Sequence, residues 1–224
     1  MTTDTEAPRI VARLRILHPQ QDAFVASQGK RVIVRAGRRS GKTTGVADEA
    51  STEFMGGARV LYATPTAGQL DAFWYEVQRI LAEPIAAKVF TVNQTEHTIE
   101  LRHSKQRLRA KTAWNADSLR GDYADLLILD EWQLMNEDAW EVVGAPMLLD
   151  NDGRAIFIYT PPSLRSAGIS HAHDPRHAAK MFKAALEDKT GRWAAFHFTT
   201  RDNPHISEAA LAEFTGSPRV AAFW

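Results

Sequence analysis

The sequence predicts an α/β domain of three layers, a mostly parallel sheet with helices on both faces. Three observations carry that prediction. Short, continuously apolar stretches recur at 32–34, 60–62, 126–129 and 156–159, as in strands covered on both sides. Segments with helical composition or periodicity separate them. The first strand runs into a glycine turn ending in Gly41-Lys42-Thr43-Thr44, and the third ends on Asp130-Glu131. In a parallel sheet both features come to the C-terminal ends of strands, where such sheets bind ligands.

The chain has 224 residues, enough for one large domain or one with a small appendage. Lys+Arg and Asp+Glu number 27 each, so only a local basic patch could signal nucleic acid. With no cysteine, disulfides and Cys-based zinc sites are excluded. The start, MTTDTEAP, lacks a basic region followed by an apolar core, and no apolar run nears ~18 residues. A soluble protein that is not exported is expected.

Residues 1–16 read as an arm lying over the domain. LHPQQDAFVAS (17–27) predicts a turn at Pro19 and a short helix. Gln21 is placed to read an adenine edge, since its amide both donates and accepts, or else is an ordinary surface residue. RVIVRAGRRSGKTT (31–44) is strand, turn and helix start, the order of a phosphate-binding P-loop. Ala36 stands where the usual pattern has glycine, and Gly37 follows one residue later. Backbone N–H groups from Gly37 through Arg38, Arg39, Ser40 and Gly41 to Thr44 would cradle phosphates. Lys42 would reach the β- and γ-phosphates of a nucleotide, and the Thr43 hydroxyl would bind Mg²⁺.

The helix is expected to end at Gly56-Gly57, followed by a strand over 58–65. Thr66 starts an amphipathic helix through Leu81, whose Phe73, Trp74, Val77 and Ile80 fit a core face better than a stacking platform. Residues 88–113 read as a hairpin or three-strand meander. Arg107, Arg109 and Lys111 share one face of its last strand. They suit a DNA backbone, or the solvated charges of an edge strand. Asp130 at the end of the 126–129 strand could hold Mg²⁺, while Glu131 orients or deprotonates water. A helix-capping pair would explain one of these carboxylates but not two. Residues 138–149 predict a helix. Thr160 ends the next strand, where a hydroxyl could sense the γ-phosphate or simply close the strand. HAHDPRH (171–177) lacks regular metal-ligand spacing and reads as a polar loop entering a helix. RWAAFHFTT (192–200) is a last strand, and Ser207 caps a final helix.

HPQQ, GRRSGKTT, SLRGDYADLLILDE and the Thr-ended strand occur in an order that resembles the ATPase domain of the large terminase subunit of tailed bacteriophages. That resemblance implies a RecA-like (ASCE) P-loop NTPase fold over residues 1–200, with 201–224 starting a linker. It implies ATP and Mg²⁺ as cofactors, and hydrolysis that drives double-stranded DNA into a procapsid from a ring of identical subunits. A portal protein and a small terminase subunit are the implied partners, and the host cytoplasm the implied location. The family's catalytic Glu falls on Glu131, its metal-binding Asp on Asp130 and its coupling Thr on Thr160. Its loop arginine falls on Arg38, and an arginine finger acting on a neighbour's site falls on Arg120. The residues after Thr160 show no strand-borne carboxylate set, so nuclease activity is not expected and a truncation at the domain boundary is. A helicase-like ATPase and a nucleotide-gated binding module are the alternatives.

Overall fold

A computed structural model describes residues 11–113, 116–161 and 170–216. The MTTDTEAP start and the AAFW end lie outside them. Among the described residues eight strands form one sheet in the order β3-β4-β5-β2-β6-β7-β1-β8. Strands β1 (Arg31–Ala36), β2 (Arg59–Thr64), β5 (Arg107–Thr112), β6 (Leu126–Asp130), β7 (Arg154–Tyr159) and β8 (Trp193–Phe198) are parallel. The meander expected over 88–113 is β3 (Phe90–Asn93), β4 (Thr98–Leu101) and β5, paired antiparallel.

Alternation along the strands builds two cores. Val32, Val34, Tyr62, Ile128 and Ile158 face one side, under α1 (Pro19–Val25), α2 (Lys42–Met55) and α3 (Ala67–Ile80). Ile33, Leu61, Leu127, Leu129 and Phe157 face the other, with Trp132, Trp140 and Phe182. Phe182 lies on α6 (His177–Glu187), which closes that side. All five α3 and Leu81 positions expected in the core are buried. Val11–Ile16 is the arm: the Arg13 N–H donates to the Ile80 carbonyl at 3.0 Å, and the Arg15 N–H to Asp48 at 3.0 Å. A short α4 (Ala82–Ala86), carrying Pro84, continues α3 after a break and was not legible in the pattern.

The helix expected over 138–149 is interrupted. Ala139–Gly144 forms a π-helical turn that runs into α5 (Ala145–Met147). Pro146 has no N–H to give to a carbonyl one turn back, so a regular α-helix cannot pass through it. The last helix is α7 (Glu208–Gly216), and the Ser207 hydroxyl accepts the Ala210 N–H at 3.2 Å, as a cap should.

Because β7 lies between β1 and β6, parallel packing brings the turn after Ala36, Asp130-Glu131 and Thr160 to one edge of the sheet. The end of β8 joins them there.

Candidate active site

The turn from Gly37 to Gly41 is held by its carbonyls. Gly37 accepts from the Ser40 hydroxyl at 2.7 Å, Arg38 from Thr200 at 2.7 Å, and Arg39 from the Asn203 amide at 2.7 Å. The Ser40 carbonyl meets the His18 ring at 3.0 Å, and Gly41 accepts from the Gln21 amide at 2.6 Å. In a trans peptide the N–H points opposite to the C=O, and no peptide here is cis. The tethered carbonyls therefore turn the N–H groups of Arg38, Arg39, Gly41 and Lys42 away from those partners, while the Ser40 N–H closes the turn on the Gly37 carbonyl at 3.4 Å. The unsatisfied N–H groups of the first turn of α2 add to these donors. Such a cluster binds anions.

The same contacts explain the shifted glycine. A Cβ on Gly37 would lie 2.9 Å from the Thr200 backbone nitrogen, and one on Gly41 2.6 Å from Gln21 Nε2. Gly41 also has φ +86, and Arg39, at φ 58, holds a left-handed conformation without being glycine. Arg38 and Arg39 are exposed, and Ser40 is buried.

Two expectations need correction. Gln21 is 5% exposed and its amide is already used, accepting the His18 N–H at 3.0 Å and donating to Gly41. It clamps the loop and has no outward face for a base. The domain boundary expected at 200 cuts through the Thr199–Asn203 turn, whose side chains hold Arg38 and Arg39, so residues 201–203 belong with the loop.

Lys42, the first residue of α2, places Nζ 3.2 Å from Glu131 Oε1. Glu131 sits at φ 53, a strained turn directly after β6. Its other oxygen accepts from the Gln133 side-chain amide at 2.6 Å, and the Oε1 of that amide accepts the Thr160 N–H at 3.3 Å. Asp130 is 2% exposed and accepts from the Tyr62 hydroxyl and from the Glu131 N–H, both at 2.8 Å. Burial, then the charge of Glu131, raises its pKa from 3.8 to about 6, against the opposing pull of Lys42. Burial followed by the Asp130 charge raises the Tyr62 phenol as well.

A raised carboxyl pKa costs stability once ionised. The cost is absent below about pH 4, where both states are protonated, and complete above about pH 6. Asp130→Asn is therefore expected to raise the melting temperature at pH 8 and to lose that gain at pH 4. Each kcal/mol recovered is worth about 2–4 °C at this size. Thermal unfolding of both proteins across that range checks it.

Arg107, Arg109 and Lys111 do share a face, but β5 is an interior strand and their charges are engaged. All three converge on Asp122, Arg107 and Arg109 at 3.2 Å and Lys111 at 2.8 Å, and Arg109 also pairs with Glu96 at 2.8 Å. Asp122 is 8% exposed. It fastens the segment after the 3₁₀ turn Ala116–Leu119 onto the sheet. This cluster replaces the edge-strand reading and gives the three cations a structural partner, which weighs against the DNA-backbone reading. Asp122→Ala leaves three cations without their shared carboxylate and should cost about 2 kcal/mol, by denaturant unfolding. Arg120 is exposed on that segment, beside Gly121 at φ +79.

In HAHDPRH the Asp174 carboxylate pairs with Lys180 at 2.6 Å, and the Glu137 carboxylate accepts the backbone N–H groups of His173 and Asp174. His177 starts α6 and packs edge-on to Trp132. The segment is a polar loop held by Glu137 and the Leu134 carbonyl and leading into α6. Sequence reading missed His18, Tyr62, Asp122, Gln133, Thr200 and Asn203. For Gln133, DEWQ held a signal, a second amide next to the acidic pair.

No family model matches the chain. The large terminase subunit of Thermus phage G20c is 28% identical over 172 residues, as is that of Thermus virus P23-45. The match takes in 66% of this chain but 34% of each relative, so the chain spans about a third of their length. Among solved structures, the large terminase ATPase domain of Thermus phage P74-26 superposes with a TM-score of 0.69 at 20% identity, over 92% of this chain and 91% of that one. The HK97 bacteriophage large terminase gives 0.64 at 12%, covering 94% and 45%. A large terminase of a thermophilic bacteriophage, solved with ATP-γ-S, gives 0.63 at 17%, covering 88% and 48%. The chain therefore has the fold of a large-terminase ATPase domain, a P-loop α/β fold, and its sequence is similar to terminase large subunits.

Proposed function

We propose that the chain is an ATPase that works as the motor domain of a DNA-packaging terminase. The observation that carries this is the loop clamped by its carbonyls, with Lys42 at its end 3.2 Å from Glu131. ATP-γ-S in a structural neighbour supports a nucleotide as the occupant. The loop amides, Ser40 to Thr44, would hold the phosphates, with Lys42 moving from Glu131 to the γ-phosphate. Glu131 would orient and deprotonate the attacking water.

Asp130 and the Thr43 hydroxyl would hold Mg²⁺. The donor set fits, since both ligands are oxygens and two adjacent carboxylates with one lysine leave the site short of positive charge. Mg²⁺ would neutralise charge on the phosphates. Thr160 would couple turnover to motion, and Arg38, exposed on the loop, would lie beside the phosphates.

The substrate of the motor would be double-stranded DNA, and the assembly a ring that meets a portal protein and a small terminase subunit in the host cytoplasm. Among the described residues no helix is long and apolar enough to cross a membrane. The test is steady-state ATP hydrolysis with and without linear double-stranded DNA. Mg²⁺-dependent turnover that DNA accelerates is expected. Retention of one nucleotide without turnover would make the protein a switch instead.

A further inference from the structure

We infer that Gln133 is a positioning residue that ties the water-activating carboxylate to the end of β7, an inference that rests on the ATPase reading. Each end of its amide has one partner. Nε2 donates to Glu131 Oε2 at 2.6 Å, and Oε1 accepts the Thr160 N–H at 3.3 Å. The two ends cannot exchange, because a carboxylate only accepts and an N–H only donates. Gln133 is 6% exposed, so water competes poorly for either bond. Its position is set by the 3₁₀ turn Trp132–Leu134, closed by the Leu134 N–H on the Glu131 carbonyl at 2.9 Å.

The consequence appears when a phosphate arrives. Glu131 has two partners at its carboxylate, Lys42 on Oε1 and Gln133 on Oε2. Drawing Lys42 to the phosphate removes the first and leaves Gln133 to hold the orientation for catalysis. The other end of the same amide is fastened to Thr160, so a shift of Glu131 on nucleotide binding or loss is passed to the end of β7. Thr160 Oγ1 has no hydrogen-bond partner among the described residues, so its backbone N–H makes the bond to the site.

The test uses two near-isosteric variants of the full chain. Gln133→Leu removes both bonds. Gln133→Glu keeps the acceptor for Thr160 but removes the donor to Glu131, so it breaks only one of the two bonds. For Gln133→Leu, ATP-γ-S affinity should stay within about threefold and kcat should fall roughly tenfold to a hundredfold, the weight of one charged hydrogen bond. The Thr160 amide should exchange with solvent faster. For Gln133→Glu, kcat should fall as in Gln133→Leu while the Thr160 amide stays protected, a split that mere structural damage would not produce.

Unchanged kcat in Gln133→Leu overturns the inference, and so does unchanged exchange at Thr160. If Gln133→Leu fails to fold, Gln133→Glu decides alone: a lowered kcat with a protected Thr160 amide supports the inference, and an unchanged kcat overturns it. A wild-type protein that binds ATP-γ-S without hydrolysing ATP overturns the ATPase reading instead, and the Thr160 amide then still decides the bridge.

Discussion

Glu131→Gln is expected to bind ATP at least as tightly as the wild type and to hydrolyse it about 10² to 10⁴ times more slowly, the range set by a general base. The tighter binding follows from Lys42. With no nucleotide its ammonium lies 3.2 Å from Glu131, in a site where the two side chains are 12% and 16% exposed. Phosphates must break that pair and approach a carboxylate. Glutamine removes both penalties and keeps the shape. Lys42→Ala should act in the opposite direction on binding, because it strips the cation and leaves Asp130 and Glu131 facing the phosphates. Affinity and kcat should then fall together, as when an interaction present in ground and transition states is lost. Isothermal titration with ATP-γ-S and single-turnover hydrolysis separate the cases. Turnover retained in Glu131→Gln would remove it from the base position.

The parts of this fold legible in the sequence are those written locally. Four apolar stretches became four central strands because a strand covered on both faces has no polar side to show. Phe73, Trp74, Val77 and Ile80 reached the core because their spacing returns once per helical turn. Lys42 and Asp130-Glu131 were found through type and position, and strand order alone makes them meet.

The illegible parts are tertiary. Thr200 and Asn203 clamp a loop more than 150 residues upstream, and nothing near either residue advertises that. Gln21 has the chemistry to read a base, yet its amide is committed to Gly41 and His18, a choice made by how α1 docks on the loop. Arg107, Arg109 and Lys111 looked like an exposed cationic face because their counterion, Asp122, comes from a segment that folds back across β5.

That returning segment leads to the expectation for Arg120. Asp122 is pinned beside Arg107, Arg109 and Lys111, with β5 two strands from β6. Two strand spacings are roughly 10 Å, which sets the anchor to one side of Asp130 along the sheet. Arg120, exposed two residues from that anchor, is the position to which the terminase resemblance assigns a finger acting on a neighbour's site. An arginine finger is worth about 10³ to 10⁵ in rate, roughly 4 to 7 kcal/mol. A surface arginine is worth less than about 1 kcal/mol, so the size of the loss decides first whether Arg120 takes part. Arg120→Ala has a sound loop without the finger, and Lys42→Ala has a dead loop with the finger intact. Each alone should be nearly inactive. Mixed under conditions where subunits assemble, some Arg120→Ala sites face a Lys42→Ala neighbour, and part of the activity should return. The wild-type chain should show a specific activity that climbs with protein concentration. If every mixing ratio stays inactive while both variants still assemble, Arg120 serves its own nucleotide and the neighbour's role is wrong.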